Sequence, residues 1–205
     1  MIELVVFLGN PGQRYARTRH NIGMRLGEAF AERHALQFQR KFGGRLAAYR
    51  PSAGPAGAGA PSSGAPARTK LLLLLPETYM NRSGESVGAC ARYHEVDPQA
   101  ILVAHDEVEL PFGTMELRRG GGLAGHNGLR SVSQHLSARN FARLRLGIGR
   151  PRRGDVSSHV LGNFSPDEEN RMDDLSRAVE GVLERMAAAE FDSVAESVGR
   201  SVVFE

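Results

Sequence analysis

Cysteine is all but missing from this chain of 205 residues: Cys90 stands alone, which excludes an internal disulfide and any multi-thiolate metal site. That usage fits a reducing compartment, and the expected location is the cytoplasm. Long apolar runs are missing as well. No apolar run exceeds five residues, the length of Leu71 to Leu75, far too short to cross a bilayer, and the opening MIELVVFLGNPG has neither a basic leader nor a small-residue cleavage pattern. Lysine is scarce, with 2 against 24 arginines, and no internal repeat is visible.

Several catalytic signatures are absent too. There is no G-x-x-x-x-G-K-[ST] and no full G-x-G-x-x-G after the first strand candidate, which argues against a nucleotide-binding loop. No pair of histidines has the H-x-x-x-H spacing of a helix-borne metal site, although His20, His105, Asp106 and His126 are ligand types. Cys90 falls in an amphipathic pattern where a buried thiol is a simpler reading than a nucleophile.

What is present suits one α/β domain, since 41% hydrophobic residues can fill a single sizeable core. Short apolar runs alternate with helical patterns, so the expected fold is a mixed, twisted β-sheet with helices on both faces. Strands are expected at Glu3–Leu8, Arg45–Arg50, Lys70–Leu75, Ala100–His105, Thr114–Arg119 and Arg143–Ile148. The continuous runs Leu71–Leu75 and Ile101–Val103 mark central strands covered on both sides, whereas alternation puts Thr114–Arg119 nearer an edge. Helices follow from Ile22, Leu26 and Phe30, from Val87 and Ala91, and from Leu129, Val132 and Leu136. Ser165-Pro166-Asp167-Glu168 reads as a capped start of one further helix through Met172, Leu175, Val179, Val182 and Met186. Residues 51–67 are only Pro, Ser, Ala and Gly, and are expected to form a flexible loop inserted between two strands.

Charge is divided along the chain: residues 1–160 hold 22 basic and 12 acidic side chains, a balance of +10, and residues 161–205 hold 4 and 11, a balance of −7. A basic body with an acidic tail suits a surface that faces a polyanion, because clustered Arg neutralises phosphates and releases their counterions.

Glycine-rich turns are where chemistry concentrates: Gly9-Asn10-Pro11-Gly12, the stretch Pro76 to Gly84, and Gly120 to Gly128. In an open α/β sheet the loops at the carboxyl ends of the strands converge, so one cleft is expected to gather Asn10, His20, Asn81, Asp106 and Asn127. That set offers one base, one carboxylate to orient it and three neutral amides.

The stretches FLGNPG, TRHN, PETYMNRSG, HDEVELPFG, GGGLAGHNG, FARLRLGIGRP and HVLGNFSPDE, with Tyr15, resemble the bacterial-type peptidyl-tRNA hydrolase family in content and order, across nearly the whole chain apart from residues 51–67. The resemblance implies a single hydrolase domain over residues 1–205. It also implies hydrolysis of the ester between a peptide and the 3′-terminal ribose of tRNA, without cofactor or metal, by a monomer whose partner is peptidyl-tRNA. By similarity His20 is the general base and Asp106 holds its tautomer. Asn10, Tyr15, Tyr79, Asn81 and Asn127 match substrate-contact positions, with Met80 beside Tyr79 as an apolar wall. Arg118 and Arg145 resemble a basic pair that grips a tRNA phosphate. Leu123-Ala124 stands where His-Gly is common, and Glu109 where Asp is frequent. Two other classes stay open: a non-catalytic RNA-binding factor reusing the fold, and an esterase acting on small acyl substrates.

Overall fold

The computed structural model describes residues 1–51, 70–151 and 154–204. Eight strands form one sheet: β1 (Leu4–Phe7), β2 (Gln39–Lys41), β3 (Gly44–Tyr49), β4 (Leu71–Pro76), β5 (Ile101–Glu107), β6 (Thr114–Arg119), β7 (Ala142–Gly147) and β8 (Arg200–Val202). Their order is β2-β3-β4-β1-β5-β7-β6-β8. The central four, β4-β1-β5-β7, are parallel and the flanking pairs antiparallel. Every residue of β1, β4 and β5 is buried, the pattern of strands covered on both faces. Thr114–Arg119 is the last strand but one, with β8 outside it.

Helices cover the two faces. On one lie α1 (Ile22–Arg33), α6 (Met172–Met186) and α7 (Phe191–Val198), whose Leu26, Phe30, Val179, Leu183 and Val194 pack on Val5, Phe7, Leu73 and Leu102. On the other lie α2 (Ser83–Tyr93) and α3 (Asn127–Leu136), whose Val87, Cys90, Leu129 and Val132 pack on Leu4, Val6, Leu74 and Val103. The alternation of β1 residues between the two clusters follows from the period-2 side-chain geometry of a strand.

Three expectations are corrected. The helix foreseen from Ser165 onward is two, α5 (Pro166–Asn170) and α6, separated at Arg171. The capping box at Ser165 and Glu168 is present; the break leaves Glu168 on Arg19 and Glu169 on Arg25 while Leu175 and Val179 meet the sheet. The short strands β2 and β8 were not foreseen, since all three residues of β2 are exposed and carry no apolar period. Nor was α4 (Val156–Leu161), a six-residue helix capped by the Asp155 side chain on Ser158 N–H. The 51–67 stretch lies outside the described residues apart from Pro51.

Candidate active site

The first turn of α1 sits directly behind the end of β1, because Gly23 permits it: a Cβ there would lie 2.8 Å from the Ala104 carbonyl oxygen and 2.9 Å from that of Leu8. This close approach brings the preceding residues, His20 and Asn21, onto the ends of β1 and β5. Asn21 and Asn10 then lock together. Asn10 N–H donates to Asn21 Oδ1 (2.8 Å), and Asn21 Nδ2 donates to the Asn10 carbonyl (2.9 Å). Met80 N–H donates to Asn10 Oδ1 (2.8 Å), so the Asn10 amide oxygen is occupied and its Nδ2 remains as a fixed donor.

Asp106, next to last in β5, is buried, and its Oδ1 accepts two hydrogen bonds: from His20 Nδ1 at 2.7 Å and from His126 Nε2 at 2.9 Å. Burial alone would raise the acid's pKa; the two imidazoles, His126 first and then His20, instead hold it well below the usual carboxylate range. The His126 tautomer is determined by the backbone. Its Nδ1 accepts from Gly128 N–H (3.1 Å) and Leu129 N–H (3.2 Å), capping α3, so the proton must sit on Nε2, facing Asp106. With His20 donating from Nδ1, its Nε2 is the basic atom. Gly128 allows this end of α3 to lie on the cleft wall, since a Cβ there would come within 2.4 Å of Met80 Sδ.

His105, one residue earlier in β5, also lines the cavity but serves differently. Its Nδ1 donates to the Asp106 carbonyl (2.8 Å) and burial pushes its pKa down to about 3, so it is a neutral support.

Asn10, His20, Met80, Asn81, Asp106 and Asn127 line one cavity of about 670 Å³. Asn81 and Asn127 are exposed in it with their amides unbonded among the described residues, and Met80 is buried in its wall. Its far end is apolar, with Val108, Leu123, Val156, Val160 and Leu161, and Arg150 pairs there with Glu109. Tyr15 and Tyr79 lie outside the lining and pack edge to face on each other at 6.5 Å, with Tyr79 half exposed.

Arg118 and Arg145 stand on the same face of β6 and β7, beyond α3, but in different circumstances. Arg118 is exposed and has no carboxylate partner among the described residues. Arg145 is largely buried; its Nε and Nη2 donate to Glu107 (3.0 and 2.9 Å) and its Nη1 to Glu116, the residue opposite it on β6. Its charge is already balanced by two carboxylates, a pairing set by strand register and so hidden from the sequence.

Two groups of side chains have metal-ligating types close together: His20, Asp106 and His126, and, on the other face, His34, Glu180 and Glu184. In the first, both imidazoles point N–H groups at the carboxylate, and the α3 cap holds His126 in that tautomer, so the trio is a hydrogen-bonded set. In the second, Arg33 already donates to Glu180.

An imidazole held by a buried carboxylate and ringed by primary amides, at the carboxyl ends of parallel strands, has the make-up of a hydrolase site. The comparisons identify the family. The family profile described as peptidyl-tRNA hydrolase matches residues 4–202. A peptidyl-tRNA hydrolase of Kineococcus radiotolerans is 41% identical over 192 residues, covering 93% of each chain. That of Geotalea uraniireducens is 40% identical over 184 residues, covering 89% of this chain and 87% of its own. The crystal structure of a peptidyl-tRNA hydrolase in complex with n-propanol superposes with a TM-score of 0.80 at 35% identity, covering 97% of this chain and 94% of that one. The Acinetobacter baumannii peptidyl-tRNA hydrolase structure gives 0.74 at 36% identity, covering 96% and 89%. The chain belongs to the peptidyl-tRNA hydrolase family.

Proposed function

We propose that this protein hydrolyses the ester linking a peptide to the 3′-terminal ribose of tRNA, releasing both, with His20 as general base and Asp106 as its partner. The observation that carries this reading is the Asp106 oxygen shared by His20 and His126 within a cavity lined by Asn10, Asn81 and Asn127. His20 Nε2 removes a proton from water as the water oxygen bonds to the ester carbonyl carbon. The carbonyl electrons move to oxygen, and amide N–H groups, Asn10 Nδ2 foremost because its orientation is fixed, stabilise the charge. Collapse breaks the bond to the ribose oxygen, which takes the proton back from the imidazolium. The ionised Asp106 stabilises that imidazolium throughout.

Substrate contact is assigned to Asn10, Met80, Asn81 and Asn127 in the cavity and to Tyr15 and Tyr79 at its approach, and phosphate contact to Arg118 and, less directly, Arg145. One continuous sheet supports a single domain, which we propose acts as a monomer, and the hydrogen-bonded trio supports catalysis without a resident metal. No helix among the described residues is long and apolar enough to cross a membrane, and with the single cysteine we place the enzyme in the cytoplasm.

The test is cleavage of a purified N-blocked aminoacyl-tRNA, with and without chelator, beside a short ester lacking tRNA. Cleavage of the tRNA ester alone, indifferent to chelator, is expected. Binding without cleavage would replace this reading with a non-catalytic RNA-binding role.

A further inference from the structure

Arg143, on β7, is 3% exposed, and among the described residues no carboxylate lies within ion-pair distance of it. Burial disfavours its charge, Arg145 and Arg118 repel it, and only Glu107 works the other way. A desolvated cation left without an anion is costly, and its retention calls for something that needs it.

Its hydrogen bonds say what. Nη1 donates to the Gly122 carbonyl (2.7 Å) and Nη2 to the Gly121 carbonyl (3.1 Å), while the guanidinium lies 5.1 Å from the Phe141 ring. Residues 120–126 are otherwise lightly tied. Gly120 N–H reaches the Phe141 carbonyl and His126 N–H the Leu123 carbonyl, and the loop passes through positive φ at Gly120, Gly121, Ala124 and Gly125. An exposed loop with such backbone has many alternative conformations. Yet it ends in His126, which holds Asp106, and Asn127, which faces the cavity, and it carries Leu123 into the cavity wall.

We infer that Arg143 is a positioning residue of this active site: its planar fork clamps the Gly121 and Gly122 carbonyls and so holds the loop that delivers Leu123, His126 and Asn127. The inference deepens the function proposed above and rests on it. A guanidinium suits the task because it spans two carbonyls with its charge retained, which an ammonium on a flexible stem does not.

Loosening the loop reduces the fraction of enzyme ready to bind, and apparent affinity falls by that fraction, whereas bound substrate re-forms the site. Arg143→Met should therefore raise KM about tenfold while kcat stays within about threefold, and Arg143→Lys should fall between Met and wild type. A merely structural role would lower kcat with the folded fraction and leave KM alone. Hydrogen exchange separates failure of the clamp from failure of the proposed reaction, since it needs no substrate: amides of residues 121–126 should exchange faster in both variants, with β4 and α2 unchanged. Unchanged exchange there, or full recovery of KM by Arg143→Lys, overturns the clamp. Should Arg143→Met not fold, Arg143→Lys decides by the same two readings.

Discussion

Replacing Asp106 by Asn isolates charge from geometry in the carboxylate proposed to support the base. Two N–H groups meet at one oxygen, His20 Nδ1 at 2.7 Å and His126 Nε2 at 2.9 Å, and no bond to Oδ2 competes among the described residues. The Asn side chain can therefore present its carbonyl oxygen to both donors and turn its NH₂ away, leaving both tautomers as they are. The tautomer-holding role that the resemblance implies for Asp106 is thereby kept; what the substitution removes is the negative charge facing an imidazolium in the transition state. At about 4 Å between charge centres and an effective dielectric of about 20, that interaction is worth about 4 kcal/mol. At about 1.4 kcal/mol per decade, kcat should fall about 10³-fold. The assay is single-turnover hydrolysis of an N-blocked aminoacyl-tRNA at saturating enzyme, with binding measured separately and expected to change little. Hydrogen exchange at Gly128 and Leu129 should stay as in wild type, since the His126 cap is kept. A kcat within tenfold of wild type would refute the electrostatic role, and a large drop accompanied by fast exchange at those two amides would mean that the tautomers change.

His20→Ala should cost about 10²- to 10⁴-fold in turnover, the usual size of a general-base effect, with tRNA binding kept; near-normal turnover would sink the mechanism. The two arginines of the phosphate pair should separate. Arg118→Ala should leave stability unchanged and reduce the salt slope of tRNA binding by about 1, whereas Arg145→Ala should strand the buried Glu107, Glu116 keeping Arg200 as a partner, at a cost of about 3 kcal/mol in urea unfolding. An Arg145→Ala protein of normal stability with a reduced slope would mean that this guanidinium leaves its carboxylates to take phosphate. His105, buried neutral with a pKa pushed down to about 3, gives a pH signature. The unfolded chain binds its proton near pH 6.5 and the folded one does not, so the associated stability is present above that pH. It is lost toward pH 3 at about 1.4 kcal/mol per unit. His105→Asn should flatten that slope relative to wild type, and parallel curves at pH 7 and 4.5 would contradict it.

The central sheet was readable because its signal is intrinsic to composition. Runs such as Leu71 to Leu75 and Ile101 to Val103 can be buried on both faces only in the middle of a parallel sheet, and β4 and β5 are fully buried there. The edges were not readable for the opposite reason. Gln39–Lys41 and Arg200–Val202 have no apolar period and become strands by pairing with β3 and β6, a tertiary effect that overrides local preference. The split at Arg171 has a similar origin, since the partners of Glu168 and Glu169 are Arg19 and Arg25, more than 140 positions away.

The site divides along the same line. Asn10, His20, Asn81, Asp106 and Asn127 were legible because each sits in or beside a turn at a strand end or helix start, where topology alone makes loops converge. Arg145 was legible as a cation but not as a neutralised one, because Glu116 faces it only through the β6–β7 register. His126 was the harder case: the sequence shows only a ligand type in a glycine-rich turn, whereas the structure makes it the cap of α3. The two amides it caps at the start of α3 also force its proton onto Nε2, and that proton is the second donor on Asp106. A backbone cap thus fixes a side-chain tautomer, the tautomer supplies a donor to a buried carboxylate, and that carboxylate orients the base. None of these steps is local in sequence, so the part His126 plays beside Asp106 emerges only once the fold is known.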